Sequence, residues 1–472
     1  MVIRYGNSRP TLRMYLLIIT YLVFVAVNSP NLFISIPVFI YPIFIYRLFW
    51  LTKQPNVIFW GLIFQWLIIT AQLFYSTIYG ITLIEYFRST EYPLQYLERT
   101  IFLSIVALYV YALGLFFAVR NLQITDINTV LLKYSPKNTL RWYIIVSVII
   151  YLSRFAIWGF PSFVQYFYFF FYVKWGFFLV TFYIVHKRAP QLRIILYASI
   201  LVEVVLGLSS FFADAFLNVL IFSFIGIATL QPKIKFTGFL VLLVMMFLFF
   251  NIAVYWTASK MEYRKYLNKG EVSQAVTVSQ GEALTKLSQL VSNIDDEKYQ
   301  NAIRDMVDRI GYIQYFDATL AYVPAVKPHQ GGSIYAKAIG HYLIPRFLDP
   351  SKEALDDSKH TNEFTGLGVS GKDSGTSFSL GTVADAYIDF GEIFMNVPIF
   401  LFGYLIGLCF SYLWRTSPNQ YWAWFLTGAF YLLVPIYGAD TTKAIGFVSI
   451  YFVTIVFVKG WLIRVLDPRL RA

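Results

Sequence analysis

The chain has 472 residues, of which 58% are hydrophobic, 20% aromatic and only 14% charged. A soluble domain with that balance would expose too much apolar surface to stay monomeric. The net charge of +12 is not a nucleic-acid footprint: residues 258–385 carry 14 Lys/Arg against 16 Asp/Glu, leaving 24 basic and 10 acidic residues beside the apolar runs, where the positive-inside bias puts them.

Apolar runs of the length that crosses hydrocarbon as helix, about 20 residues, recur along the chain. They are continuous, not alternating, which excludes a β-barrel. The expected fold class is an all-α polytopic membrane protein with about twelve transmembrane helices and one large, partly helical outer loop. The first span is expected over 12–28 and turns at Ser29-Pro30-Asn31 into the second, over 32–51. The third to ninth follow over 57–79, 101–119, 140–158, 163–185, 192–208, 211–230 and 236–256. After the loop come spans over 386–414, 421–437 and 444–463. The expected units are a bundle over 1–256, a large loop over 257–385 and a closing set of helices over 386–472. No cleavable signal peptide is expected, because the first apolar run leads straight into a second. Cys409 is the single cysteine and lies in an apolar run, so no disulfide within the chain holds the loop.

Charge fixes the expected orientation. One set of short loops collects 19 Lys/Arg, and the opposite set holds only Arg88, Arg99, Arg154 and Lys443. Both termini are therefore expected on the cytoplasmic side and the large loop outside. GxxxxGK[ST] does not occur, so chemistry outside would need a substrate that carries its own energy.

Within the loop, Leu284, Leu287, Leu290 and Val291, then Ile303, Met306, Val307 and Ile310, recur at helical spacing. Gly270 and Gly311 are expected breaks. Residues 324–381 are rich in Gly, Ser, Pro and Asp and are expected to be irregular. They form either a binding loop over the bundle mouth or an ordinary cap over helix ends.

Charges inside or beside the spans are the other candidates. Lys174, Glu203 and Asp214 form either a structural pair, Lys174 with one of the two acids, or an anion, proton or ion path. Arg154, near the outer end of the fifth span, sits where its fork can reach a lipid diphosphate or simply snorkel. Asp385, Asp389 and Glu392 open the tenth span, where acids cap a helix dipole, although three in eight residues exceed that need. Asp440 and Lys443 read as a surface pair. His329, His341 and His360 face outward, without the spacing of a metal site. His341, close before Pro345-Arg346, is the acid/base candidate among them. No GxSxG elbow is present.

The order Asp308-Arg309, Gly332-Ser333-Ile334-Tyr335, Pro345-Arg346-Phe347-Leu348-Asp349-Pro350-Ser351-Lys352, a Gly/Ser stretch and Asp385-Ala386-Tyr387-Ile388-Asp389-Phe390-Gly391, entering a span with Gly403 and Gly407, resembles the bacterial oligosaccharide repeat-unit polymerases, the O-antigen polymerase or Wzy-type group. Glu353 stands where that group often has proline, and Asp385 and Asp389 where Glu and Asn are common. The resemblance implies a GT-C-like glycosyltransferase architecture in the bacterial inner membrane, with the large loop in the periplasm. It implies polymerisation of polyprenyl-diphosphate-linked oligosaccharides into a long surface polysaccharide, with the diphosphate bond supplying the energy. Arg346, Arg309 and Arg154 would then hold the diphosphate, Arg346 as the catalytic cation. Asp385 or His341 would be the base, and Tyr335 and Tyr387 would stack on sugar rings. No cofactor or metal is implied. The partners are the lipid-linked oligosaccharide and the bilayer, with room for a protein that regulates chain length. Rival readings are a ligase-like transferase using the same donor, a transporter or flippase of the lipid-linked unit, and a non-catalytic scaffold.

Overall fold

Helices account for all the regular structure in the computed structural model, which describes residues 4–28, 31–88, 94–125, 127–157, 164–208, 214–230, 236–270, 276–343, 355–370 and 377–471. Helices α1 (Leu12–Asn28), α2 (Leu32–Phe49) and α3 (Val57–Ile78) lead through the short α4 (Leu83–Arg88) into α5 (Leu97–Val119). Then come α6 (Ile127–Leu131), α7 (Pro136–Ile157), α8 (Val164–Arg188), α9 (Arg193–Leu208), α10 (Asp214–Leu230) and the long α11 (Phe236–Leu267). The excursion holds α12 (Gln280–Ser292), α13 (Asp296–Ile310), α14 (Ile313–Tyr322), α15 (Ser333–Leu343) and α16 (Asp357–Thr365). The chain closes with α17 (Thr382–Phe394), α18 (Asn396–Arg415), α19 (Gln420–Thr427), α20 (Phe430–Leu433) and α21 (Thr441–Leu470).

Among the described residues, six stretches are long and apolar enough to cross a membrane: Leu32–Phe49, Val57–Ile78, Leu97–Val119, Pro190–Gly207, Asn396–Arg415 and Thr441–Leu470. The central contact is α5 against α18. Helices in lipid gain nothing from hiding apolar surface from one another, so they associate where small residues let backbones touch. Gly114 of α5 and Gly403 and Gly407 of α18 do this here. A Cβ on Gly403 would overlap the Tyr111 carbonyl, and one on Gly114 the Phe400 carbonyl. A Cβ on Gly407 would stand 2.7 Å from the Ala118 Cβ.

Two expected spans turn out to be interrupted. Residues 386–414 are not one span. The buried α17 meets α18 at Gly391, whose φ of 71° and ψ of −177° only glycine adopts without strain. α17 is polar enough to require protein partners, and Thr382 to Asp389 are all buried. The span expected over 421–437 breaks near Gly428 and ends as α20, and the backbone then runs without regular structure to Asp440, bending at residues 437–439. That irregular stretch lies inside protein, where its polar groups are satisfied. The Gln65 Oε1 accepts from the amides of Ile436 (2.9 Å) and Tyr437 (2.8 Å), and the Tyr111 hydroxyl donates to the Val434 carbonyl at 2.7 Å.

In the excursion, the helical reading of residues 281–323 matches α12, α13 and α14, with Gly311 ending α13. The expectation of an irregular 324–381 needs correction: α15 and α16 lie within it. Their local signals are caps. Asp356 accepts from the Lys359 amide at 3.0 Å to start α16, and Gly366, with φ 67°, ends it.

Candidate active site

α17 carries the centre of the site because its residues Thr382 to Asp389 are buried and bring two carboxylates against neighbouring helix starts. Asp389 accepts from the amides of Ile334 (3.2 Å) and Tyr335 (3.0 Å), so it caps α15. The turn before α15 is tied to the same helix, since the amides of Gln330 and Gly331 donate to the carbonyls of Ile388 and Asp389. One turn earlier, the Asp385 Oδ2 accepts from the Thr441 amide at 2.7 Å, at the positive end of α21. Its other oxygen, Oδ1, lies 2.7 Å from the His360 Nε2 on α16. Both oxygens of Asp385 are therefore held, and the carboxylate is buried.

Two further carboxylates complete the cluster. Asp440 is the N-cap of α21 and accepts from the Lys443 amide at 2.7 Å. The Asp357 Oδ2 accepts from the Ser377 hydroxyl at 2.8 Å and pairs with the Lys443 ammonium. The expected surface pair of Asp440 and Lys443 is thus a cap bond, and the ammonium is turned to Asp357. The site reaches solvent at two side chains, His360 (22% exposed) and Lys443 (31% exposed).

Burial and mutual repulsion set the protonation. For Asp440, burial and then the charges of Asp385 and Asp357 push the carboxyl up to about 7. Burial pulls His360 down, but the charge and hydrogen bond of Asp385 outweigh it, with Asp440 and Glu363 adding, so the imidazole rises to about 8. The cluster therefore exchanges protons near neutrality. Such perturbed groups collect at functional sites. The imidazole also has the geometry of an acid/base: Asp385 fixes one ring nitrogen and Phe364 packs on the ring at 5.1 Å. The other nitrogen has no hydrogen-bond partner among the described residues and is left for a proton in transit.

The residues singled out in the sequence divide around this cluster. Asp385 stands at its centre. It is His360, not His341, that is hydrogen-bonded to it; His341 lies farther along α15, its ring against Tyr342. Tyr335 is half-buried, with its ring beside Phe390 and its hydroxyl buried next to Thr441 and Asp385. Tyr387 belongs to the core, contrary to a role in stacking on sugars. It is buried against Phe316 and His329, and its hydroxyl donates to the Val323 carbonyl at 2.8 Å. Arg309 is exposed on the last turn of α13, close to Tyr315, whose ring meets Phe378 beside α16. Among the described residues it has no ion-pair partner. Its neighbour Asp308 is structural, accepting from the Tyr86 hydroxyl at 2.6 Å. Arg346 lies outside the described residues, as do the side chains of Arg154 and Asp214.

Other charged groups have structural work. The Lys174 ammonium pairs with the Glu203 Oε2 at 2.6 Å, and the Tyr143 hydroxyl donates to the second Glu203 oxygen at 2.8 Å. That is the structural pair expected as one of two readings. Asp317 caps α5, accepting from the amides of Gln95 (2.9 Å) and Tyr96 (2.8 Å) and from the Thr100 hydroxyl (3.0 Å). Glu392 pairs with Arg99.

The profile of a domain of unknown function, DUF8712, matches residues 51–412, and the chain belongs to that family. The matched stretch includes Arg309, Tyr335, His360 and Asp385 and ends before Asp440 and Lys443. Comparison with curated proteins and with solved structures finds no match.

Proposed function

We propose that this protein is a membrane glycosyltransferase that joins lipid-linked oligosaccharides, with His360 and Asp385 as its acid/base pair. The observation that carries the reading is the part-buried 2.7 Å contact between His360 and Asp385, which leaves the second imidazole nitrogen free. In this scheme a hydroxyl of the acceptor glycan attacks the anomeric carbon of a glycan on polyprenyl diphosphate. The new glycosidic bond forms as the anomeric carbon–oxygen bond to diphosphate breaks. The hydroxyl proton passes to His360, and the electron pair leaves with the diphosphate. Cations near the membrane stabilise that leaving charge; Arg309 and Arg346 are assigned to it. The reading includes twelve spans, cytoplasmic termini and a periplasmic excursion in an inner membrane. The charge bias of the short loops and the six apolar stretches support that arrangement.

A second reading has its own support. Buried carboxylates where helices are interrupted, here Asp440 ahead of α21 and Asp385 on α17, also suit a proton-coupled carrier of the lipid-linked unit. Electrophoresis of surface and lipid-linked glycan from a strain lacking the gene separates the two. Loss of the long-chain ladder with single repeat units retained supports the polymerase, and failure of His360→Gln to restore the ladder supports the assigned base. Long chains held on the lipid carrier indicate a ligase, and single units trapped inside indicate a carrier. An unchanged glycan pattern overturns the reading.

A further inference from the structure

α11 runs on past its apolar part to Leu267 and packs against α12 through Tyr263, Leu267, Ala283 and Leu287. The Thr277 amide and hydroxyl both donate to the Leu267 carbonyl, at 2.8 and 2.9 Å, which draws the start of α12 back to the end of α11. Between these two helix ends lies a cleft of about 320 Å³, lined by Lys265, Tyr266, Lys269, Thr277, Val278 and Glu282. Lys286 adds a third ammonium, 5.6 Å from the centre of the Tyr266 ring. None of the three lysines forms an ion pair among the described residues, whereas Lys327 and Lys443 elsewhere on the outer side pair with Glu363 and Asp357. The one acid in the lining, Glu282, is turned to the cap of α12, where its Oε2 accepts from the Ser279 amide and hydroxyl at 2.9 Å. Lys269 is near enough to act on that carboxylate, so three cations face one committed anion. The dipole of α11 favours a lysine in its last turn, which accounts for Lys265 but not for Lys286 within α12.

We infer that this cleft binds a sugar that carries a carboxylate, as one unit of a glycan outside the bilayer. That the ligand is a glycan rests on the transfer reading above; its charge, size and place rest on the cleft. Small-molecule sites occupy about 300–1,000 Å³, so this one suits a single sugar ring and is larger than a bare phosphate needs. Depth separates it from a lipid headgroup. Lys265 follows Trp256, the expected end of the ninth span, by 9 residues, a rise of roughly 14 Å along a helix. The headgroup zone adds only about 5–8 Å beyond the hydrocarbon on each side. In the cleft the carboxylate meets Lys265 and Lys269. The ring lies against Tyr266, which is 37% exposed. The Thr277 hydroxyl, already donating to Leu267, accepts from a sugar hydroxyl. The cleft is carried by α11 and α12, apart from the His360 cluster, so it holds the glycan and takes no part in the chemistry.

The test titrates the purified full-length protein in detergent with methyl glucuronide, methyl glucoside, inorganic phosphate and glycerol phosphate, with saturation-transfer NMR as the readout. Methyl glucuronide binds, and methyl glucoside, which lacks only the carboxylate, binds more weakly. The double variant Lys265→Gln/Lys269→Gln weakens the glucuronide about two- to thirtyfold, the worth of two exposed charge contacts, and leaves the glucoside unchanged. Raising the salt from about 0.05 to about 0.5 M weakens the glucuronide as well. Lys298→Gln, which removes an exposed charge of α13 outside the cleft, binds as the wild type does. Lys286→Gln carries the test if the double variant does not fold. No glucuronide binding, equal binding of the glucoside, or binding unchanged in the double variant overturns the site. Preference for inorganic phosphate makes it a bare-anion site and preference for glycerol phosphate a headgroup site, and either overturns the sugar assignment. The two readings fail separately. Glucuronide binding with polymer unaffected by His360→Gln leaves the cleft and removes the transferase. Polymer lost in His360→Gln with no glucuronide binding does the reverse.

Discussion

His360 and Asp385, 25 residues apart in the chain, meet at 2.7 Å because α17 packs against the start of α21 and the Asp357–Lys443 ion pair ties α16 to that same start. The carboxylate is buried and the imidazole is partly open, so one partner orients and the other reaches solvent. If His360 takes the acceptor proton, His360→Gln should lower transfer about 10²- to 10⁴-fold, the usual range for a positioned acid/base. Folding should be nearly intact, since glutamine can still donate to Asp385. Measured as polymer formed per unit of folded protein, a loss below about tenfold would remove His360 from the chemistry. Asp385→Asn should be worse in both respects, because it also weakens the contact to the Thr441 amide.

The pH dependence follows from two raised groups. His360 lies at about 8 in the folded protein, above its ordinary 6.5. Its favourable contribution is complete below about 6.5 and is lost as pH rises through about 8. Asp440 lies at about 7, above its ordinary 3.8, so the folded state holds the proton more tightly and stability falls as pH rises from about 4 to 7. Both slopes have the same sign, and the melting temperature should decline between pH 5 and 9. Asp440→Asn should flatten the part below 7. It should also move the His360 inflection down, because Asp440 helps to raise the imidazole. Transfer activity should have the opposite trend and rise through about 8 as His360 becomes able to accept a proton. A melting temperature that climbs over this range would contradict the assignment.

The crossing of α5 and α18 gives a prediction independent of chemistry. Gly403→Leu or Gly114→Val forces a side chain into a neighbouring backbone carbonyl. Overpacking of this sort costs about 1–3 kcal/mol or more, and both variants should lose folded yield in detergent size-exclusion profiles. Gly460→Ala on α21 meets nothing within 4 Å and is the control. It should be neutral or slightly stabilising, by up to about 1 kcal/mol, through helix propensity.

Much of the helical layout is legible in the sequence because apolar runs and their terminators act locally. α1 occupies the expected 12–28, and α2, α3, α9 and α10 fall within a few residues of their expected ends. What local pattern does not carry is where a polar helix is paid for by partners distant in sequence. The stretch 386–414 is apolar enough to read as one span, yet Asp385 and Asp389 draw α17 into the protein, where His360, Thr441 and the start of α15 satisfy them. The same limit applies at the site. Asp385 could be picked out from three acids in eight residues, but nothing local distinguishes His360 from His341. Only the packing of α16 on α14 and α17 selects it. Asp357 and Thr441 carried no signal at all, since neither sits in a motif.

The Lys174–Glu203 pair tests whether charge inside the bundle is structural. Both side chains are mostly buried, at 13% and 14% exposed, and Glu203 also accepts from Tyr143. Removing one partner strands the other, at a cost of about 3–5 kcal/mol. Lys174→Met should be the more damaging, because Glu203 is then left with only the Tyr143 hydroxyl as partner. Glu203→Gln retains an acceptor for Tyr143 but strands the ammonium. The double variant Lys174→Met/Glu203→Gln removes both charges and keeps the tyrosine bond, so it should recover most of the stability lost by either single change. A double-mutant cycle on thermal unfolding reads this directly. Recovered stability together with normal polymer formation fits a structural pair. Recovered stability with activity abolished would instead place the pair on a functional path and strengthen the carrier reading.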